Sequence, residues 1–494
     1  MKKGIFAIWA STAVVIIFLF CFLSKQWPLV CTDAVAYWPP IIHGNERGEF
    51  NNPTWKAAVF YDPQGLPRLT YHGFLLQWIG RHLGGQTYPG IYKVIGYFAF
   101  VAMVVFATCL TMILARKKGP SSGWRIAYLT CLPLAIGHLF LGVFSRPESL
   151  VMVWAVLLCA VLIGETDWTP RKAVITGVLL GFCGLTSPVS SILIGSLVAM
   201  IAAFKLPPVQ MSNWLFLAAC TALSSGAMIF FGGYPFDFRD WVCGNLNHAQ
   251  RAVWSSGVAD YAVYFLKETR HIGLYPLFLA SILIFSFNRP FKDSLNISQF
   301  ILRVGSLVFF AGACWYFAIR EPARTYNLQA LAPFMLTLTG NWIVTSKREI
   351  TLKFLTPLFF VSLALIACSL VFARNVILFH HADGHGISYS KATEALTHCL
   401  DTSKESVDVS MQFITLSSSP KIRGAAMVSQ IESEYFMLAQ TYSGLTSPPN
   451  IAGYELVYDS FSQEVPRILG VKIANTPGSY NFAIYRRLGK KMHR

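Results

Sequence analysis

Long apolar stretches, each broken by a short polar interval, recur along most of this chain. Runs of roughly 17–25 apolar residues are what a helix needs to cross about 30 Å of hydrocarbon. About eleven such runs, some shorter than this, lie near 4–24, 91–114, 125–144, 149–164, 173–186, 190–204, 213–232, 273–287, 300–318, 330–344 and 354–373. Pro188 interrupts the 173–204 stretch, so two spans or one long kinked segment are both open there. After 374 the pattern changes to mixed polarity. Tyr454–Tyr458 and Tyr480–Tyr485 read as strands and Ser429–Gln440 as a helix, which predicts a small α/β domain at 374–494. The fold class expected is a polytopic α-helical membrane protein, its helical domain at 1–373 including a long loop at 25–90.

Composition agrees with the pattern. Of 494 residues 54% are hydrophobic and 13% charged, with a mean hydropathy of +0.49. An ordinary soluble domain carries roughly 25% charged residues, so a soluble globular enzyme is excluded. The net charge is +16. In a soluble chain that would point to nucleic acid; here its distribution about the spans accounts for it, and no nucleic-acid partner is expected.

Short-loop Lys and Arg set orientation. A retained first span after Lys2 and Lys3 fits better than a cleaved leader, because no small-x-small cleavage site follows it. With Lys2 and Lys3 in the cytoplasm, strict alternation also places Arg116, Lys117, Lys118, Arg171, Lys172, Lys205, Arg289, Lys292, Lys347, Arg348 and Lys353 there. It sends outside the 25–90 loop, the turn Ser145–Glu148, a loop near 232–272, Arg320–Gln329 and the C-terminal domain. The expected location is the cytoplasmic (inner) membrane, with the C-terminal domain periplasmic. Eight of the eleven cysteines fall inside spans, where they act as small hydrophobes. Among the three that remain, no spacing resembles a metal knuckle. There is no Walker motif or His-Glu-x-x-His helix, which argues against an ATP-driven pump.

The unusual polar residues cluster in the segments assigned to the outside. Asp33 follows the first span, within reach of a lipid head group, as a base or as a helix cap. Arg68, in Pro67-Arg68-Leu69-Thr70-Tyr71-His72, either grips a phosphate through paired hydrogen bonds or snorkels at the interface. Tyr71 stands beside it, and His72 is a proton carrier or an ordinary hydrogen-bonding residue. Arg146 and Glu148 sit near membrane depth, where each charge costs roughly 2.5–3.5 kcal/mol on insertion scales; they are functional groups or each other's partner. Tyr234 and Asp237 belong to an aromatic exit from a span, fit for stacking on a sugar or for an interfacial belt. Arg320 and Arg324, ahead of Tyr326, bind an anion or bracket Glu321. Alternation puts all five groups on one face, which favours one shared external site.

In order and side, these features resemble the polytopic lipid-dependent glycosyltransferases of the GT-C superfamily, especially the protein O-mannosyltransferase and aminoarabinose-transferase branch. The resemblance rests on Asp33, Pro67–Tyr71, Arg146-Pro147-Glu148 and Tyr326–Pro333, and covers roughly 1–373. The family often has Asp-Glu where this chain has Asp33-Ala34, and Lys-Pro-Pro where it has Pro67-Arg68-Leu69. The resemblance implies an inverting hexosyl- or pentosyltransferase that moves a sugar from a polyprenyl-phosphate donor to a hydroxyl on a lipid, glycan or protein acceptor. Asp33 would then deprotonate the acceptor, with Glu148 orienting the acceptor or supporting Asp33. Arg68, helped by Arg320 or Arg324, would stabilise the departing phosphate, and Tyr37, Trp38 and Tyr234 would pack against sugar or prenyl chain. No cofactor is implied with certainty; a divalent cation stays open, although Asp33-Ala34 lacks the second acidic residue of the family's Asp-Glu. The competing classes are a transporter, a lipid-linked glycan ligase or polymerase, and a non-catalytic scaffold.

Overall fold

The computed structural model describes residues 148–164, 167–204, 209–231, 269–287, 297–316, 326–345, 351–384, 389–400, 405–410, 422–425, 431–441, 447–460, 467–468, 471–472 and 480–488. Leu75, Val101, Val105, Phe106, Leu110, Tyr128 and Ala135 are described singly. The described chain is mostly helical, with a small sheet.

The helices are α1 (Glu148–Gly164), α2 (Pro170–Thr186), α3 (Pro188–Ala203), α4 (Met211–Phe231), α5 (Thr269–Phe287), α6 (Ile297–Cys314), α7 (Tyr326–Gln329), α8 (Ala332–Thr345), α9 (Leu352–Gly384) and α10 (Tyr389–Cys399). Eight of the expected apolar runs, from 149–164 to 354–373, thus coincide with helices. The run at 4–24 lies outside the described residues, and those at 91–114 and 125–144 are represented by six single helical residues. By length and apolarity, Ile297–Cys314 and Leu352–Ala373 are the described helices able to cross a membrane, and Leu150–Leu162, Pro188–Ala203 and Gly273–Phe287 are shorter apolar helices. Helix α9 runs on to Gly384, past the apolar run at 354–373.

Of the two readings of 173–204, the structure takes the broken one. Ser187, extended at φ −152°, ends α2 and starts α3. Its hydroxyl accepts the Ser190 amide, the usual N-cap bond, and Pro188 takes the first helical position, where a missing N–H costs nothing. The chain folds back there, bringing the Ser191 hydroxyl to the Leu180 carbonyl at 3.5 Å.

Neighbouring contacts fix the helix directions. Trp154 Nε1 donates to Thr186 Oγ1 at 3.2 Å near one end of α1, and Lys172 Nζ donates to the Leu162 carbonyl at 3.4 Å near the other, so α1 and α2 are antiparallel. Gly177 lies against Leu217–Thr221 and Gly181 against Thr221 and Ser224, so α4 runs parallel to α2. Helix α5 ends with Phe285 against Phe204, at the last turn of α3, and its early Gly273 faces Ala364 and Cys368 of α9. Trp342 of α8 meets Phe354 at the start of α9. Two ends follow, one holding the loops after α1 and α3 and the other the α2–α3 turn.

The core sits among α1, α2, α3, α5, α8 and α9. Helix α1 is apolar nearly all round and buried nearly all round. On the outside the pattern is the reverse of a soluble protein. Leu352, Leu355, Phe359, Leu363, Ile366 and Leu370 form an exposed stripe on α9 at spacings of three and four. Helix α6 exposes Phe300, Ile301, Val308 and Phe309, while its only charge, Arg303, is turned inward and is 2% exposed.

The C-terminal sheet has strand order β2-β1-β3-β7-β4, from β1 (Val407–Ser410), β2 (Ile422–Ala425), β3 (Tyr435–Thr441), β4 (Tyr454–Asp459) and β7 (Tyr480–Arg487). The short strands β5 (Arg467–Ile468) and β6 (Val471–Lys472) pair separately. Strand β1 is parallel to β2 and β3, and β7 is antiparallel to β3 and β4. Both strands expected in the tail are present. The helix expected over Ser429–Gln440 is not: Tyr435–Thr441 is the central strand β3. Its aromatic and apolar side chains bury on both faces, with Phe436 stacked on Tyr485 across the pair. The segment entering it is held by buried Asp408, whose Oδ2 accepts the amides of Glu432 and Ser433 at 2.6 and 2.7 Å. Local helix propensity yields to those tertiary bonds.

Candidate functional site

The two ends of the helical layer differ in chemistry. At the end with the loops after α1 and α3, the buried cations serve the backbone. A helix leaves its last carbonyls without intrahelical partners, and their partial negative charge favours a cation. Lys172 meets that need at the end of α1 by bonding the Leu162 carbonyl, and its ammonium lies 5.7 Å from the Trp168 ring. Arg303 does the same for α3: its Nε donates to the Ala203 carbonyl at 3.3 Å, and its guanidinium lies 5.2 Å from the Phe204 ring. Asn213 closes the loop before α4 by donating to the Trp168 carbonyl at 2.8 Å.

At the opposite end, where α5 starts at Thr269-Arg270 and α9 runs past Arg374, the buried polar side chains described are neutral. Thr186 receives the Trp154 indole and donates to the Phe182 carbonyl. Ser187 donates to Ser190 at 3.1 Å. Short helix α7 packs on α1 and α3. Helix α8, which follows α7, packs against α1 and α5. Helix α8 runs toward Trp342, which meets the start of α9 at the basic end, so α7, ahead of α8, lies at the polar end. Asn327 and Gln329 are both buried there. The Gln329 Oε1 has no hydrogen-bond partner among the described residues.

Of the residues singled out in the sequence, Glu148 and Tyr326 are described. Each is the first residue of its helix, α1 and α7 respectively, and both helices begin at this polar end. Asp33, Tyr37, Arg68, Tyr71, His72, Arg146, Tyr234, Asp237, Arg320 and Arg324 lie outside the described residues, as does the 25–90 loop except for Leu75. The described ends that flank their segments can be placed. The start of α1 follows Arg146, the end of α4 precedes Tyr234 and Asp237, and the start of α7 follows Arg320 and Arg324. All three ends are at the polar side, since α4 is parallel to α2 and α2 finishes there.

Sequence reasoning missed Thr186, Ser187, Ser190, Asn327 and Gln329. Their signal was available: Thr186-Ser187-Pro188-Val189-Ser190-Ser191 is a hydroxyl-rich run between two apolar ones, and Asn327 and Gln329 immediately follow Tyr326. Among the described residues no group of three His, Cys, Asp or Glu is placed to hold a metal ion, and Asp33 is not among them. No family model, no curated protein and no solved structure matches this chain.

Proposed function

We propose that the chain is an inner-membrane, multi-pass glycosyltransferase of GT-C type, which transfers a sugar with inversion from a polyprenyl-phosphate donor to a hydroxyl acceptor on the outer face. The membrane part of the reading is supported by the inverted surface: apolar stripes outside on α4, α6 and α9, and the charge of α6 inside. An exposed apolar stripe as long as that on α9 is rare in water-soluble monomers. The orientation is supported by agreement between the helix directions and the distribution of Lys and Arg, the basic loops after α1 and α3 sharing one end. The polar end is then the outer one, and the C-terminal sheet a periplasmic domain.

The observation that carries the one-sided site is the sorting of polar groups. The buried cations at the basic end are engaged in closing helix termini, whereas the flanking ends of three candidate segments and the neutral polar cluster occupy the other. A transporter needs its charged groups reachable from both sides. A transferase acting on a lipid-borne sugar needs them at one.

In this mechanism Asp33 removes the acceptor proton as the oxygen attacks the anomeric carbon. The bond to the lipid phosphate breaks on the opposite face, and the phosphate leaves as an anion. Arg68, with Arg320 or Arg324, neutralises it, and Glu148 orients the acceptor. A positioned base contributes about 10²–10⁴-fold, and fixed cations at developing charge contribute at least as much. The test is transfer from a synthetic polyprenyl-phosphate sugar to envelope lipid, glycan or protein fractions, read by mass spectrometry. Asp33→Asn should bind the donor and transfer nothing, and full transfer by this variant removes Asp33 as the base.

A further inference from the structure

Gln329 is 1% exposed, and its side-chain carbonyl oxygen has no hydrogen-bond partner among the described residues. An unpaired buried carbonyl costs roughly 1–3 kcal/mol, and an apolar side chain of similar size would remove that cost. Nothing in the local backbone requires an amide here: the turn after α7 is closed by main-chain bonds, Ala330 N to Asn327 O at 3.3 Å and Leu331 N to Leu328 O at 2.9 Å. Among the described residues the amide oxygen therefore has no structural return. A buried group left unpaired in the free protein is one place where a protein pays for ligand recognition.

Its surroundings specify the ligand chemistry. An amide oxygen accepts, so its partner must bring a donor. The same end of the layer carries Trp154 and the hydroxyls of Thr186, Ser187 and Ser190, while the buried cations Lys172 and Arg303 are bonded to helix carbonyls at the other end. A hydroxyl supplies that donor, whereas an ionised phosphate brings only acceptors.

We infer that Gln329 is a specificity-determining residue, its Oε1 accepting a hydroxyl of the transferred sugar rather than contacting the lipid phosphate. This rests on the glycosyltransferase reading and names the part of the donor that α7 recognises. Discrimination by a group built to hydrogen-bond a substrate hydroxyl is steep, because an analogue lacking it leaves the protein group unpaired.

The test uses the full chain in detergent with two probes, a polyprenyl-phosphate-linked hexose and the same polyprenyl phosphate without sugar. The free Gln329→Leu protein should melt no lower than wild type, bind the bare polyprenyl phosphate equally, and bind the sugar-bearing lipid roughly tenfold more weakly. Gln329→Glu keeps an acceptor and should recover sugar binding in part. Thr176→Val removes another buried, unpartnered hydroxyl, in the middle of α2, and should leave both affinities unchanged. Should leucine prevent folding, Gln329→Met offers a flexible apolar chain of similar length. Unchanged sugar-lipid affinity in the leucine or methionine variant overturns the assignment, as does a lower melting point of the free variant, which would mean the amide has a structural partner. Binding of neither probe by wild type overturns the glycosyltransferase reading itself.

Discussion

The approach of α2 to α4 is close enough that one methyl group should be felt. A Cβ on Gly177 would lie 2.6 Å from the Leu217 carbonyl oxygen, 2.8 Å from Cys220 Cβ and 3.2 Å from the Thr221 amide nitrogen. Two of these three are backbone atoms, which no rotamer change can move. The helices must separate by several tenths of an ångström, and a gap of 0.5–1 Å forfeits a quarter to a half of each dispersion contact it opens. The loss extends to Gly181, whose carbonyl accepts Ser225 Oγ at 3.3 Å. Overpacking of this kind costs about 1–3 kcal/mol, and the better helix propensity of alanine returns up to about 1 kcal/mol. Gly177→Ala should therefore destabilise by about 1–2 kcal/mol. Gly195 and Gly226 have nothing within 4 Å of a Cβ, so Gly195→Ala and Gly226→Ala should be neutral or slightly stabilising. The assay is thermal unfolding in one detergent at one scan rate, followed by tryptophan fluorescence, because irreversible melts depend on scan rate. If Gly177→Ala melts together with the two control variants, the close approach is not a packing constraint and the argument fails.

Arg303→Ala removes the bond to the Ala203 carbonyl, the contact with Phe204 and the packing of the alkyl stem. A loss of about 1–3 kcal/mol is expected, with Arg303→Lys restoring only part of it; an unchanged melting point would argue against the capping role. In the sheet, burial first and the nearby Asp459 second push the Tyr485 phenol from 10.0 up to about 12. Its hydroxyl donates to the Pro449 carbonyl at 2.7 Å and must lose that bond on ionising. The folded state holds the proton more tightly than the unfolded one, so this stabilisation is complete below pH 10 and lost as pH rises through about 12. The phenolate absorbance of wild type minus Tyr485→Phe should titrate near 12, and a midpoint near 10 would contradict the burial argument.

The parts of this molecule legible in the sequence are those set by short-range pattern. The apolar runs from 149–164 onward became helices because a run of that length closes its own backbone hydrogen bonds wherever it lies. Pro188 was legible as a break, but its outcome was not: a kink and a hairpin share the same proline, and Ser187, capping both helices at once, decides between them. The strand at Tyr435–Thr441 was misread because its identity depends on Asp408, 24 residues upstream of Glu432, and on pairing with Tyr480–Arg486, about forty residues downstream. For the candidate site, sequence order singled out charged and aromatic residues at span ends. Of these, Glu148 and Tyr326 were found at the starts of helices on the polar side. The neutral residues were passed over because Ser, Thr, Asn and Gln between apolar runs look like loop filler. Their burial is a tertiary fact, created when α7 packs on α1 and α3.

Lys172 and Arg303 have a further consequence, for how the chain reaches its final arrangement. Lys172 belongs to the short-loop cations that set orientation, Arg303 lies within an apolar helix, and each ties one helix to the carbonyl end of another. A helix threaded in the wrong sense would carry its cation to the far side, leaving one carbonyl end open and one buried charge without its ring. On the proposed membrane topology, a misoriented α2 or α6 would fail to make these bonds with its neighbours. On that topology the same two side chains would couple the direction of a helix to its packing.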